Sequence, residues 1–248
     1  MSIEMQSIRT DQATDRSLPR FGYIGAESAC GGSGQAALYE DLRTLDRFSA
    51  RVRFAKNETI FSEGDHAGHA YKIASGVVRL CKHTQDGRRQ IADFLLPGAI
   101  FGIIDRGEYG FSAEAVSDVV LVSYPRTQID RLSATKSGVL DHIFEALTEQ
   151  FMVMQRHLVV LGCQSAKERV ASFFLLLADR SRALPGDRLD LPMGRQDIAS
   201  HLGLTIETVC RAIAELKREG IVVVPSMNQI ILKDSAALRR LAEGQHYC

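Results

Sequence analysis

The sequence predicts an α+β fold: an antiparallel β-roll in the N-terminal half, one long helix after it, and a C-terminal set of short helices closed by a strand hairpin. Three observations predict it. Turn signals recur at near-equal intervals between residues 52 and 126, with short apolar runs between them. Apolar residues then step by four and three from Leu140 to Leu161. Last, the stretch DIASHLGLTIETVCRAI, residues 197–213, reads as two short helices joined at a glycine. Apolar period separates these cases, being two for a half-buried strand and about 3.6 for a helix.

Length and composition set the bounds. A chain of 248 residues is long enough for two domains. Its formal net charge is +0 and 45% of its residues are hydrophobic, an ordinary globular composition. No run of about eighteen apolar residues occurs, so no membrane span is expected. No basic segment precedes an apolar stretch at the start, so no secretory leader is expected and a cytoplasmic location is. Cys30, Cys81, Cys163, Cys210 and Cys248 are scattered and form no CxxC pair. That distribution fits reduced thiols better than a disulfide frame.

Residues 1–37 are polar, end in GGSGQAA and hold no period, so they read as a disordered extension. Leu38, Leu42 and Leu45 predict a short helix over 38–48. The roll is assigned to 38–136. Its turn signals are Gly64-Asp65, Ser75-Gly76, Asp86-Gly87 and Pro97-Gly98, and its apolar runs include YKIA, VVRLCKH and QIADFLL. An Asp-Gly pair suits a hairpin turn because both residues tolerate positive φ. Strands of this length and spacing form an eight-stranded, jelly-roll-like double Greek key, which closes its own edges.

The long helix is assigned to 137–162, starting after Ser137-Gly138. Leu140, Phe144, Leu147, Phe151, Met154, Leu158 and Leu161 form an a/d heptad stripe. That stripe is narrower than a helix needs to cover a barrel, so a second copy of the same helix is its expected cover. A further helix over about 166–182 carries FFLLLA, and Pro185-Gly186 and Pro192 stop it.

The last unit is 163–248. Arg195 to Leu202 forms a short helix with Ile198, Ala199 and Leu202 facing inward. Gly203 makes the turn by taking positive φ. Thr205 caps the next helix, whose inward face is Val209, Ile213 and Leu216. Helix, glycine turn and helix in about 20 residues match a helix-turn-helix, whose second helix lies in the DNA major groove. Two apolar runs flanking Pro225 to Gln229 predict a hairpin wing beside it. The outward face of the second helix carries Ile206, Glu207, Cys210 and Arg211. Arginine can donate to guanine O6 and N7, and glutamate can accept from cytosine N4. The same two residues can also form a surface ion pair that holds the arginine, worth about 0.3–0.5 kcal/mol. Arg195, Gln196, Thr205 and Thr208 are placed for phosphate contacts. The unit holds 12 Lys/Arg against 10 Asp/Glu, so DNA binding is read from the motif and not from a basic balance.

In this order, β-roll, long helix and winged helix-turn-helix, residues from about 40 to 235 resemble the CRP/FNR superfamily of bacterial transcription regulators. RQDIASHLGLTIETVCRAIAELKREGIV is similar to its DNA-binding signature, and EGDHAGHAYKIASGVVRLCKHTQDGRRQIADFLLPGAIFG to its sensor roll. The resemblance implies that Glu207 and Arg211 are the guanine-reading pair. Cyclic-AMP receptors carry an arginine where this sequence has Ile206, which is similar instead to the FNR and FixK branch and implies a TTGA-like half-site. That branch usually has serine before the reading arginine; here the residue is Cys210. DGRRQIADFLLPG and FSAEAVSD look closest to FixK, an FNR-like activator without an iron–sulfur cluster. This implies a homodimer on a palindromic box in double-stranded DNA that recruits RNA polymerase. It also implies targets in microaerobic or anaerobic respiration, denitrification or nitrogen fixation. No enzyme activity, catalytic residue, cofactor or metal is implied.

The signal that the roll takes has several candidates. A cyclic nucleotide needs a Gly-Glu turn and a following Arg-Ser/Thr-Ala; Gly107-Glu108 is present but no arginine precedes Ser112. An iron–sulfur cluster needs four thiolates, and only Cys30 and Cys81 are placed for it. Haem would draw on His66, His69, His83, His142 or His157, so a haem-dependent nitric-oxide or oxygen sensor of the same superfamily is the alternative, as is a repressor. A cupin-type metalloenzyme would cluster histidines and a carboxylate, yet there is no HxH pair, and His66 and His69 do not share a strand face. Cys210, beside Arg211, is a candidate redox thiol. Its oxidation would place bulk or charge against DNA; otherwise it is a small residue that fits the groove as serine would.

Overall fold

A computed structural model describes residues 33–83, 89–103, 107–181 and 188–243. The extension up to residue 32, Cys30, Cys248 and the Asp86-Gly87 and Pro185-Gly186 turns lie outside these residues. Helix α1 spans Ser33–Arg43 and is followed by a 3-10 turn at Asp46–Phe48. It starts ahead of the first buried leucine, because Gln35, Ala36 and Ala37 favour helix without needing to bury a face. Residues 33–37 therefore belong to a helix and not to a disordered extension.

Eight strands follow: β1 Ala50–Phe54, β2 Thr59–Phe61, β3 His69–Ser75, β4 Val78–His83, β5 Arg89–Leu95, β6 Ile100–Phe101, β7 Ser112–Ala115 and β8 Val119–Pro125. They form two antiparallel four-stranded sheets, ordered β1-β8-β3-β6 and β2-β7-β4-β5. This is the roll that the turn spacing predicts. Gly64, Gly76 and Gly98 at its turns take φ of 85°, 86° and 95°. At Gly76 a Cβ would also lie 2.3 Å from the Asp118 carbonyl oxygen, so no other residue fits there. The roll interior holds Ile73, Val78, Leu121 and a stack of aromatic rings. Phe61 lies 3.6 Å from Tyr109, and Tyr71 lies 5.4 Å from Phe101, by ring centroids.

Helix α2, Arg126–Thr135, leads into α3, Val139–Cys163, which opens at Gly138 with φ 90°. One side of α3, through Ile143 and Ala146, packs on Leu38 and Leu42 of α1 and on the roll. The remaining elements are α4 Ala166–Ser181, β9 Arg188–Asp190, α5 Arg195–Leu202, α6 Ile206–Arg218, β10 Val222–Ser226, β11 Gln229–Leu232 and α7 Ser235–Glu243. Strands β10 and β11 are the predicted wing, and β9 adds a third strand in the order β10-β11-β9. Neither β9 nor the helices α2 and α7 follow from the sequence pattern. Helix α5 docks on β5. One apolar core runs from Cys81, Ile91 and Phe94 of the roll into Phe173, Ile198 and Leu202 of the C-terminal unit.

Candidate nucleic-acid interface

The two short helices meet as their residues dictate. Gly203 ends α5 with φ 62° and ψ 38°, a left-handed cap. Thr205 then starts α6 in extended conformation, and its hydroxyl accepts from the Thr208 N–H at 3.2 Å. Val209, Ile213 and Leu216 are buried and fix the rotation of α6 about its axis. That rotation leaves Ile206, Glu207, Cys210 and Arg211 exposed on the opposite side. The four predicted base-reading residues thus share one accessible face.

Within that face, the predicted Glu207–Arg211 ion pair does not form among the described residues. The Glu207 carboxylate turns back to its own backbone N–H and to the Thr205 hydroxyl, and both hold its pKa below the usual carboxylate value. The reason is local: the first turn of a helix offers unpaired N–H groups and a positive dipole end closer than the i+4 arginine. Arg211 is exposed and has no ion-pair partner among the described residues.

Of the phosphate candidates, Gln196 is exposed, its amide 3.5 Å from Ser200 Oγ. The Thr205 and Thr208 hydroxyls lie 3.0 Å apart and bond to each other. Arg195 is half-buried; burial lowers its pKa, and the nearby Cys210 opposes that shift. Its Nη1 has no hydrogen-bond partner among the described residues. Cys210 itself is a free, exposed thiol.

The heptad residues lie along the side of α3 that faces away from the roll. Phe144 is 70% exposed and Leu158 63%, with Leu140, Phe151 and Met154 also exposed and Leu147 and Leu161 half-buried. Met152 and Val159 widen this apolar strip beyond the a/d positions. So the roll does not cover the stripe.

The five histidines weighed for haem have protein partners or separate surroundings. His66 Nδ1 lies 3.0 Å from the Gly107 carbonyl, and His142 Nδ1 lies 2.7 Å from Asp41. His69 lies against Tyr71, with its pKa lowered by burial. His83 Nε2 is 3.7 Å from Glu114, and His157 stacks on His201 at 4.2 Å. Where a cyclic-nucleotide site would need arginine, Phe111 precedes Ser112, beneath the Lys82 ammonium at 5.2 Å.

Sequence reasoning misses one feature entirely. Arg79 and Arg89 of the roll, Glu114 of β7 and Asp197 in the first turn of α5 form a charge network across the seam between the two units. Arg79 binds Glu114 at 2.7 Å and Asp197 at 3.1 Å. Arg89 reaches Glu114 at 3.3 Å and also pairs with Asp197. Burial alone would raise the Glu114 pKa, but Arg79 and then Arg89 outweigh it and lower it. Beside the network, Arg180 of α4 binds Asp93 of β5 at 2.7 Å, and His201 Nδ1 lies 3.2 Å from the Ile91 carbonyl. The network fixes the helix-turn-helix on the roll.

Comparison with known proteins agrees with this architecture. Residues 51–136 match the cyclic nucleotide-binding domain family and residues 168–241 the Crp-like helix-turn-helix domain family. A nitrogen fixation regulation protein FixK from Azorhizobium caulinodans is 42% identical over 191 residues, spanning 76% of this chain and 77% of that protein. The FixK of Bradyrhizobium diazoefficiens is 39% identical over 204 residues, spanning 82% and 86%. Among solved structures, FixK2 from Bradyrhizobium japonicum superposes with a TM-score of 0.74 at 32% identity, covering 78% of this chain and 96% of that one. No described helix is long and apolar enough to cross a membrane.

Proposed function

Because this chain belongs to the CRP/FNR family of transcription regulators, in the branch of the FixK activators, we propose that it acts in the cytoplasm as a homodimer reading a palindromic TTGA-type box. The carrying observation is the single exposed face of α6 with Glu207, Cys210 and Arg211. Arg211 donates to guanine O6 and N7, and Glu207, already ionised and oriented, accepts from cytosine N4. Ile206 lies against the outer base, while Arg195, Gln196, Thr205 and Thr208 hold phosphates.

The α3 stripe supports the dimer. Each fully buried side chain of its kind contributes roughly 1.5–3 kcal/mol, and an uncovered strip is an aggregation liability. Pairing two α3 helices sets two α6 helices on one side of the duplex, about one helical turn apart. The relatives' names support regulation of nitrogen fixation; targets in microaerobic and anaerobic respiration and denitrification, and activation through contact with RNA polymerase, extend the same reading.

A second reading concerns control. Cys210 is an exposed thiol within the reading face. Its oxidation adds bulk and charge where a base must approach. The aromatic filling of the roll and Phe111 before Ser112 support a signal other than a cyclic nucleotide.

Fluorescence anisotropy at fixed salt tests both. Reduced protein is titrated onto a duplex with TTGA and its inverted repeat and onto a scrambled duplex, with and without peroxide. Tight, box-specific binding without an added cofactor is expected. Peroxide weakens the parent protein and spares Cys210→Ser. Equal affinity for both duplexes contradicts the reading function, and equal peroxide loss in Cys210→Ser contradicts thiol control.

A further inference from the structure

The outer face of β4 carries three metal-type donors that DNA reading does not use. Cys81 and His83 are two residues apart on one strand, so both point to the same side. Glu114 on the neighbouring β7 faces them, since β4 and β7 pair antiparallel with Arg79 opposite Glu114. The Cys81 Sγ, a His83 ring nitrogen and a Glu114 oxygen all lie within 4.8 Å of one another.

The two oxygens of Glu114 are divided. Arg79 Nε and Nη2 and Arg89 Nη1 bind Oε2, at 2.7, 2.7 and 3.3 Å. Oε1 faces His83 Nε2 at 3.7 Å. That distance is too long for a hydrogen bond but suits two ligands on one ion, each about 2.0–2.2 Å from it. The guanidiniums then hold the carboxylate in orientation, as outer partners of metal ligands do. Cys81 is buried, and His83 is half-exposed at the strand end and opens the site to solvent.

We propose that Cys81, His83 and Glu114 form a binding site for a divalent ion of the zinc class, with three protein ligands and one open position. Sulfur, imidazole and carboxylate together select such an ion over magnesium or calcium, which take oxygen ligands. The ion replaces the thiol proton, which passes to solvent, so each ion bound releases one proton. The site lies on the side of the roll that faces the C-terminal unit, not inside the barrel, and so differs from a cupin centre. Its consequence is regulatory. An ion on Oε1 competes with Arg79 and Arg89 for the charge of Glu114, and Asp197 on α5 is their other counter-ion. Occupancy is thereby felt at the helix-turn-helix.

Cobalt(II) is the probe. The full-length protein, reduced and stripped with chelator, is titrated with cobalt(II) alone and read by absorption. One ion per chain with a thiolate-to-cobalt charge-transfer band is expected. Cys81→Ser removes the band, and His83→Ala weakens binding by roughly tenfold or more. Because His83 is half-exposed, His83→Ala keeps its fold, checked by circular dichroism. Cys163→Ser and Cys210→Ser retain the band. A missing band in the parent, or a band that survives Cys81→Ser, overturns the site. The titration uses no DNA, so its failure leaves the DNA-reading proposal untouched.

Discussion

Arg211 and Glu207 divide the reading face between an exposed cation and a carboxylate already held by Thr205 and its own backbone N–H. His201, on the preceding helix α5, shows what burial does to a basic group. It is 3% exposed, stacks on His157 and meets Phe94 edge-on. Burial, and then His157, pulls its pKa from 6.5 to about 4; Asp93 opposes this and Arg180 reinforces it. Above about pH 6.5 neither folded nor unfolded chain protonates it, and no stability is lost. Between 6.5 and 4 the unfolded chain takes up a proton that the folded chain refuses. Stability therefore falls with pH by about 1.4 kcal/mol per unit, on the order of 3 kcal/mol over the window. His201→Gln keeps a donor toward the Ile91 carbonyl and should flatten this fall. His157, also held down by burial, keeps part of it. Urea midpoints at about pH 7.5 and pH 5 measure the slope, and equal slopes in the parent and the variant would refute the assignment.

At the scale of elements, α3 and α6 carry opposite assignments on similar evidence. Both have one apolar stripe, but that of α6 is buried within its own chain and that of α3 is not. Phe144→Glu combined with Leu158→Glu should therefore yield a folded monomer that loses box-specific binding. Sedimentation equilibrium decides, and a persisting dimer would move the interface elsewhere. Such elements are legible in sequence because their causes are local: Gly203 and Thr205 set the turn, and Gly64, Gly76 and Gly98 punctuate the roll. Strand β9 is not legible, because three residues become a strand only by pairing with β11, some forty positions on. Asp197 is overlooked for the same reason. In sequence it is an ordinary acidic residue in a first helical turn, and nothing local connects it to Arg79, 118 positions away. The Cys81, His83 and Glu114 group is half visible, as two donors two apart on a strand, and needs β7 to complete it.

At the scale of the whole molecule, roll and reading unit are joined by one apolar core and by a neutral set of two arginines and two carboxylates. Asp197→Ala leaves Arg79 and Arg89 sharing Glu114 alone. A buried pair broken on one side costs roughly 3–5 kcal/mol, so a clear fall in Tm and faster hydrogen exchange in α5 are expected. An unchanged Tm would mean that water already screens the network. The joint matters because the central claim concerns what the docked unit presents, a reading face with Arg211 at its centre. The most direct measurement is a double-mutant cycle across the DNA interface. Parent protein and Arg211→Ala are each titrated onto the TTGA inverted repeat and onto the same duplex with deazaguanine, which lacks the N7 acceptor. The account predicts that the parent loses roughly 1–3 kcal/mol on the altered duplex, that Arg211→Ala loses a similar amount on the natural one, and that the two losses do not add. Full additivity, or no loss with Arg211→Ala, would contradict it.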